Sequence, residues 1–347
     1  MDTLHYNMRF GYVDSVVRAH FTDFLTESDY VQLKQSETLE DLRLHLGNAG
    51  FQDFLQNDAG AATPAIIYER CMQRMVQRFS DVEVMAQDEL KTFFQWIRIP
   101  YMIDNVVLLI LGVTKHRDVK DLIDRCHPLG LFDGIKSLAL DSSSSEELYH
   151  TVLVDTPLGP LFQKCFSKSS LNEAGIEFMR LKLYREYFDG FYEFCKNLGN
   201  ETATQMCEIL EFEADRRSIV ITLNSMQTHM IADEKESLYP RIGKLYPHAT
   251  HLLSRAQTEA DVARILDSYE VYRGLWAQTT QTKSIEDVFY ERIAQMHVES
   301  FSIFFQFGVF YAWTHLMDQE VRNIQWIAEC IHQGKRDKAD SYIRIRP

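Results

Sequence analysis

Apolar residues recur every three or four positions over long stretches of the chain, which is the spacing of one face of an α-helix. The clearest stretch consists of Ile176, Met179, Leu183, Tyr187, Phe191, Phe194 and Leu198. Asn172 is suited to cap the start of this helix, and Gly199 to end it. A second stretch consists of Val321, Ile324, Ala328 and Ile331. Gly334 follows it as the end of a predicted C-terminal helix.

The rest of the chain also favours helix. The β-branched run Ile219–Thr222 is compatible with a strand, but Ile209 and Phe212 before it fit a buried helix better. Proline is rare, with 8 in 347 residues, and none lies between Pro160 and Pro240. Because a proline inside a helix costs about 3 kcal/mol, long proline-free segments favour helices. The predicted fold class is therefore all-α.

A helix-start signal occurs three times along the chain, as Ser or Thr followed three residues later by Asp or Glu. The copies are Thr38-x-x-Asp41-Leu42-x-x-x-Leu46, Ser144-x-x-Glu147-Leu148-x-x-x-Val152 and Thr258-x-x-Asp261-Val262-x-x-x-Leu266. In such a capping box the hydroxyl accepts from exposed backbone N–H groups, and the acid favours the positive helix N-terminus. The shared pattern suggests an internal repeat.

A second element follows each copy after roughly 65–75 residues and joins polar residues to an apolar run. Its copies are Asp104–Val107, Asp215–Ile219 and Glu320–Ile324. The implied period of roughly 105–115 residues fits three times into the chain. We therefore predict three pseudo-symmetric helical lobes over residues 1–125, 126–240 and 241–347. The connectors between them are too short to be free linkers, so the lobes are expected to pack as one body.

Composition and charge narrow the classes of function. The formal net charge is −14 and the pI about 5.3, which disfavours nucleic acid and makes a basic protein partner more natural. The six scattered cysteines suit reduced thiols better than a disulfide framework. The longest uninterrupted apolar run, Val106–Val113, is far shorter than the roughly 20 residues that span a bilayer. The chain is not expected to cross a membrane by itself.

Motifs for catalysis are weak. The sequence contains neither the phosphate-binding G-x-x-x-x-G-K-[ST] nor G-x-G-x-x-G, so direct nucleotide binding is not expected. Two Glu-x-x-His steps, Glu147–His150 and Glu329–His332, leave open an all-helical enzyme with a di-iron centre. A chain of this composition contains about one such step by chance, so no metal or other cofactor is predicted.

Polar clusters interrupt two of the apolar segments. Asp104 and Asn105 lie inside the apolar stretch Ile99–Val113, where a buried carboxylate would need a partner. Acidic residues and two arginines alternate in Glu211–Arg217, which is compatible with a salt-bridge network or with partner binding. Five phenylalanines between Phe301 and Phe310 are predicted to pack in the core.

Several blocks of sequence carry a resemblance to a known family. They are Thr38–Leu42, Tyr101–Val106, Cys126–Gly130, Leu153–Leu158, Ile209–Arg217, Phe307–Tyr311 and Arg322–Cys330. At these blocks, which are spread over essentially the whole chain, the sequence resembles the d subunits of eukaryotic V-type proton ATPases. Those subunits are related to the C subunits of archaeal A-type ATPases. The resemblance implies a funnel of helices with threefold pseudo-symmetry.

The resemblance also implies a function. Family members are non-catalytic adaptors that join the central stalk, made of the D and F subunits, to the proteolipid ring of c-type subunits, with the a subunit as a further partner. The implied location is the cytosolic face of vacuolar, lysosomal or other endomembranes, as a peripheral membrane protein. A helical scaffold unrelated to a proton pump stays open as the alternative.

A torque-bearing adaptor needs a stiff body, so the family resemblance gives the polar clusters a structural role. We expect eight residues to act as polar ties between the lobes: Asp104, Asn105, Asp215, Arg216, Arg217, Glu320, Arg322 and Asn323. No catalytic, cofactor-binding or metal-binding residue is expected.

Overall fold

A computed structural model describes residues 3–55, 60–115, 117–135, 156–165, 173–228, 230–280 and 283–346. Within these ranges the regular structure is helical and contains no strand, so the all-α prediction is confirmed. The α-helices, in chain order, are α1 (Thr3–His20), α2 (Glu27–Gln35), α3 (Leu39–Leu46), α4 (Gln52–Leu55), α5 (Pro64–Met85), α6 (Asp88–Thr114), α7 (Val119–Asp124), α8 (Gly159–Cys165), α9 (Glu173–Leu198), α10 (Asn200–Ser225), α11 (Ala232–Glu236), α12 (His248–Arg255), α13 (Glu259–Asp267), α14 (Ile285–Ser300) and α15 (Gly308–His332).

The chain divides into two compact units that are each discontinuous in sequence. The first contains Met1–Lys91, Asn200–Gln205 and Asp287–Pro347, and the second contains Thr92–Gly199 and Met206–Glu286. The three predicted lobes and their boundaries stay a prediction, as does the funnel.

The first unit is built around the long helices α5 and α15, which pack along each other, with α1 against both. Helix α15 is buried along most of its length because apolar residues occupy nearly every side of it. Trp313 and Phe310 on this helix are fully buried. Burial of a large apolar side chain stabilises a fold by about 1.5–3 kcal/mol, so this helix anchors the unit.

The second unit contains α9 and most of α6 and α10, together with the short helices α11 to α13. Aromatic rings join α6 to α9: Trp96 stacks on Phe191 with ring centroids 5.5 Å apart. Gly190 lies against the same indole, where a Cβ atom would stand only 2.7 Å from the ring. The absence of a side chain at Gly190 therefore allows the two helices to approach closely.

Most of the predicted helices are confirmed, with their ends. The apolar stripe of residues 176–198 lies on α9, and Gly199 after it has a φ of +70°, a conformation that glycine adopts readily. The C-terminal stripe lies on α15, which is followed by Gly334 with a φ of +67°. The run 219–222 is helical, within α10. Asn172, the proposed cap of α9, lies outside the described residues.

Two of the three helix-start signals are confirmed as capping boxes. Thr38 accepts from the backbone N–H of Asp41, and Asp41 accepts from the N–H of Thr38. Thr258 and Asp261 form the same reciprocal pair at the start of α13. The third signal, at Ser144, lies outside the described residues.

The expectation that the phenylalanine-rich segment packs in the core is only partly right: Phe307 and Phe310 are buried, whereas Phe304 is 59% exposed and Phe305 38% exposed. Phe304, Phe305 and Phe307 all lie in the connection between the helices that end at Ser300 and begin at Gly308. Helical spacing does not apply there, so it cannot tell which of these rings face the core.

Helix α6 is long and apolar enough between Asp88 and Gly112 to cross a bilayer by length and composition. Polar residues such as Asp104 and Asn105 interrupt this segment, so its longest uninterrupted apolar run is short. In its most apolar window 56% of the residues are buried inside the protein, as in a core helix, so the finding is weak evidence for a membrane span.

Five cysteines are free thiols: Cys71, Cys126, Cys195, Cys207 and Cys330.

Candidate functional site

Asp104 on α6 is held by two donors from α9. Arg180 Nε donates to Asp104 Oδ1 at 3.1 Å, and the Tyr184 hydroxyl donates to Oδ2 at 2.8 Å. The carboxylate is not buried as expected from the sequence, since 47% of its side chain is exposed. The polar residue at this point of the apolar helix faces outward, where water and Arg180 share the solvation of its charge.

The neighbouring residue Asn105 is the buried member of this pair. Its amide nitrogen donates to the His127 carbonyl at 2.9 Å, and its amide oxygen accepts from the His127 N–H at 2.7 Å. One side chain thus satisfies both backbone groups of a residue in the turn after α7. Gly130 passes so close to Asn105 and to the Tyr101 carbonyl that a Cβ atom there would clash with both.

Asp215 on α10 is completely buried and accepts from three donors. The backbone N–H groups of Lys244 and Leu245 donate to it at 2.7 and 3.2 Å, and the Tyr272 hydroxyl donates at 2.5 Å. Burial raises the pKa of Asp215 to about 7, although these three donors act in the opposite direction. Gly243, with a φ of +113°, lets the loop approach, because a Cβ atom there would clash with the carboxylate.

Arg216 and Arg217 follow Asp215 in the sequence, but neither forms a salt bridge with its carboxylate. The salt bridges expected within this segment are therefore not formed at Asp215. Arg217 instead places its guanidinium carbon 3.6 Å from the ring centroid of Tyr184 and 5.7 Å from that of Phe188. Arg216 is partly buried. On a helix, consecutive residues point about 100° apart, so Asp215 and its neighbours face different surroundings.

Glu320 on α15 is the buried carboxylate of the first unit. It accepts from the Leu25 N–H at 2.7 Å and lies 3.4 Å from Arg74 Nη1 of α5. Arg74 is itself buried and stacks over the ring of Phe51 at 3.7 Å. Burial raises the pKa of Glu320 to about 7, while Arg74 acts to lower it.

One turn further along α15, Asn323 bridges two other segments. Its amide nitrogen donates to the Ile343 carbonyl at 2.6 Å and to the Tyr30 hydroxyl at 3.1 Å. Arg322 lies on a different face, where it donates to Asp318 of the same helix at 2.6 Å and is 55% exposed. The contact of Arg322 with Asp318 is therefore local to α15.

The polar residues share a pattern across the three long helices α6, α10 and α15. On each helix an acid near the middle accepts from a segment far away in sequence: Asp104 from α9, Asp215 from residues 244–272, and Glu320 from Leu25. In each case the two segments belong to different predicted lobes. Each contact lies within one compact unit. The role of these residues as ties between lobes stays a prediction.

The partners of these acids were missed by sequence reasoning. Tyr184, Tyr272 and Arg74 supply donors, yet each is an ordinary member of a helix or turn in the sequence. Only proximity in the fold pairs them with the carboxylates, and single-sequence periodicity carries no such information.

No metal centre is formed by the described residues, since no group of three or more His, Cys, Asp and Glu side chains there is arranged to hold an ion. Of the two Glu-x-x-His steps, Glu329–His332 lies at the end of α15. The other, Glu147–His150, lies outside the described residues. Among the described residues, the Glu329–His332 step therefore lacks the additional carboxylates that a di-iron centre uses.

Comparison with known proteins covers nearly the whole chain. Residues 13–342 match the model of the ATP synthase (C/AC39) subunit family. The V-type proton ATPase subunit d of Dictyostelium discoideum is 40% identical over 342 residues, which is 98% of this chain and 96% of that protein. The corresponding protein of Saccharomyces cerevisiae is 38% identical over 349 residues, covering 99% of this chain and 100% of that protein.

An archaeal relative is more distant. The C subunit of the A-type ATP synthase of Thermococcus onnurineus is 19% identical over 331 residues, covering 94% of this chain and 87% of that protein. The match to the family model and the level of identity to the d subunits over their full length decide the assignment. This all-helical chain belongs to the ATP synthase (C/AC39) subunit family, among the d subunits of V-type proton ATPases.

Proposed function

We propose that this chain is the non-catalytic adaptor that couples the central stalk of a V-type ATPase to its membrane ring. The D and F subunits of the stalk would bind at one end and the c-type proteolipids at the other, with the a subunit as a further partner. ATP hydrolysis elsewhere in the complex would then drive proton transport. The observation that carries the proposal is the full-length similarity to proteins named V-type proton ATPase subunit d.

The site geometry supports a mechanical role. The best-defined side chains are buried polar groups that connect distant segments, such as Asp215 and Glu320, and each is satisfied by several donors. A fully satisfied buried polar network rigidifies and specifies one arrangement of its segments. A protein that transmits torque needs such resistance to shear.

We assign the tie role to Asp104, Asn105, Asp215, Glu320 and Asn323 on the contacts described above. Arg216, Arg217 and Arg322 belong to the same polar segments, and we extend the role to them on that ground. Charge reversal at Arg322, as Arg322→Glu, should lower both the stability of the chain and the coupling of ATP hydrolysis to proton transport. If neither property changed, the role of Arg322 would be refuted.

The proposed location is the cytosolic face of an endomembrane, as a peripheral member of the membrane-bound complex. The alternative of a helical scaffold unrelated to a pump receives no support from the family assignment. The proteins that co-purify with the chain distinguish the pump adaptor from an unrelated scaffold.

The decisive experiment is affinity purification of the tagged chain from gently solubilised membranes, with co-purifying proteins identified by mass spectrometry. We expect the c-type proteolipids together with the D and F subunits. The control is another member of the pump tagged in the same cells. If that control recovers the complex and the chain recovers neither the proteolipids nor the stalk, the coupling role is wrong.

A further inference from the structure

Arg217 stands out because its charge has no matching acceptor among the residues that the structure describes. Its Nε atom is buried away from solvent, yet it has no hydrogen-bond partner there. The guanidinium contacts aromatic faces, at 3.6 Å to Tyr184 and 5.7 Å to Phe188. The side chain as a whole is only partly buried. A guanidinium carries five N–H donors, and a buried donor such as Nε that lacks an acceptor is costly.

The nearby carboxylate does not fill this role. Asp104 is occupied by Arg180 at 3.1 Å and by the Tyr184 hydroxyl at 2.8 Å. Tyr184 therefore stands between the two charges: its hydroxyl binds Asp104 and its ring face carries Arg217. Arg217 is stabilised by a cation–π contact, which leaves the in-plane donors of the guanidinium available for another group.

The electrostatic field at Arg217 favours an anion. Burial lowers the pKa of Arg217 first, and the positive charges of Arg216 and Arg180 lower it further, while Tyr184 and Asp104 act in the opposite direction. Arg180 keeps 36% of its side chain exposed, so the cluster is open to solvent on that side. A planar guanidinium with other arginines nearby is the arrangement that binds phosphate in a bidentate manner.

We propose that Arg217, supported by Arg180 and stacked on Tyr184, forms a binding site for a phosphate group on the second unit. A phosphate carries between one and two negative charges near neutral pH, so it offsets more of the arginine field than a single carboxylate does. Its oxygens accept from the guanidinium fork that the described residues leave unfilled. The source of the phosphate group is either a free phosphate or the headgroup of a phospholipid. This site is independent of the coupling function proposed above.

The first test is thermal unfolding of the purified full-length chain in sodium phosphate and in sodium chloride of equal ionic strength. A ligand that binds only the folded state raises the melting temperature. We expect phosphate to raise the Tm of the wild type above its value in chloride by roughly 2 °C or more, which corresponds to binding well above half saturation. Equal Tm values in the two salts would overturn the proposal.

Variants locate the effect. Arg217→Met should lose the phosphate-specific increment. The increment is the difference between the Tm values of one protein in the two salts, so any change in the stability of the variant from the loss of its contacts with Tyr184 and Phe188 cancels out. The matched control is Arg292→Met, which removes an arginine that has its own carboxylate partner in Glu299, and which should keep the increment. An unchanged increment in Arg217→Met would refute the site.

Arg217→Lys covers the case in which the methionine variant does not fold. It keeps the positive charge but removes the planar fork, so the phosphate increment should shrink by half or more. An increment equal to that of the wild type would contradict bidentate binding at Arg217.

Vesicle sedimentation distinguishes the two sources of phosphate. If the site takes a lipid headgroup, vesicles of phosphatidylcholine with a phosphatidylinositol phosphate should sediment the wild type several-fold better than Arg217→Met. If the site takes free phosphate, the salt-specific rise in Tm should appear without any difference in sedimentation. If the wild type shows neither the phosphate-specific rise in Tm nor sedimentation with the vesicles, the proposed site is refuted.

Discussion

At the scale of single residues, the chain places carboxylates where the cost of burial has to be offset by compensating contacts. Asp215 is the clearest case, since it is fully buried and its donors are two backbone N–H groups and a tyrosine hydroxyl. Among the described residues, no cationic side chain donates to it. The carboxylate therefore serves as a fixed acceptor that holds the loop around residue 244 against α10.

Replacing Asp215 by asparagine tests this role. The amide has one acceptor oxygen instead of two, and its NH₂ group would face a backbone N–H that now lacks a partner. We expect Asp215→Asn to lower the free energy of unfolding by about 1–3 kcal/mol, measured by urea denaturation. Asp133→Asn, at an exposed position, is the control and should change stability by less than about 0.5 kcal/mol. If Asp215→Asn left the free energy of unfolding unchanged, the carboxylate would be dispensable for stability.

The buried acids also predict how stability depends on pH. Folding raises the pKa of Asp215 from 3.8 to about 7 and that of Glu320 from 4.5 to about 7, mainly by burial. Between about pH 4 and 7 the folded state therefore binds more protons than the unfolded state, so these two groups make stability fall as pH rises through that window. Above pH 7 their contribution is constant.

Urea denaturation at several pH values from roughly 4.5 to 8.5 measures this dependence. We expect Asp215→Asn to have a smaller decrease in stability between about pH 5 and 7 than the wild type, because one of the carboxyl groups whose pKa is raised by burial is gone. The Asp133→Asn control should reproduce the wild-type slope. A slope in Asp215→Asn that matches the wild type would assign the pH dependence to other groups.

At the scale of elements, short helices depend on their ends. Helix α13 has nine residues, too few to be stable alone, and its first turn is held by the reciprocal bonds of Thr258 and Asp261. Val262 and Leu266 then bury one face of the helix against the unit. The cap fixes where the helix starts, and the two apolar residues fix which face is inside.

Removal of the cap should therefore have a measurable but moderate effect. Thr258→Ala is expected to cost about 1 kcal/mol in the free energy of unfolding, because a backbone N–H at the helix start loses its acceptor. Thr258→Ser keeps the hydroxyl and should lower the free energy of unfolding by only a few tenths of a kcal/mol. The comparison uses denaturation midpoints, and equal midpoints for the two variants would mean that the hydroxyl contributes nothing.

At the scale of the whole molecule, contacts distant in sequence hold each compact unit together. In the first unit, Glu320 joins α15 to Arg74 of α5 and to the backbone of Leu25 before α2. Both charged side chains are 5% exposed, so neither can be solvated by water if its partner is removed. Such a pair adds little net stability, but breaking it on one side is costly.

A double-mutant cycle on this pair tests its contribution to the unit. At about pH 8, where the folded state carries Glu320 as a carboxylate, Glu320→Gln should lower stability by about 1–3 kcal/mol, because the Leu25 N–H and Arg74 lose a charged acceptor. Adding Arg74→Met should recover a large part of that loss, since the uncompensated charge is removed. Lys196→Gln, which breaks an exposed pair with Glu193, is the control and should cost less than about 1 kcal/mol.

Additive losses in the cycle would contradict the pairing. Coupled losses would instead show that α5, α15 and the segment before α2 respond as one element. If the coupling function proposed above also depends on this rigidity, the single variant Glu320→Gln should reduce co-purification of the chain with the rest of the pump, and the double variant should restore part of it.

The sequence by itself determined the helical class, the positions of several helices and two of their caps. These features depend on local physics: the 3.6-residue period of the apolar stripes, the rarity of proline, and the reach of a Thr or Asp side chain to the first N–H groups of its own helix. The sequence also placed Asp215 in a charged cluster between apolar residues, and Glu320 and Asn323 beside an apolar run. All three are buried in the structure.

Only the tertiary structure decided what those residues bind. Tyr272 lies 57 residues from Asp215, and Arg74 lies 246 residues from Glu320, so no local pattern could pair them. The same holds for exposure: Asp104 and Phe304 are exposed although their sequence surroundings are apolar. Burial depends on which segments pack against a side chain, and that is settled by the fold as a whole and not by the spacing of residues along the chain.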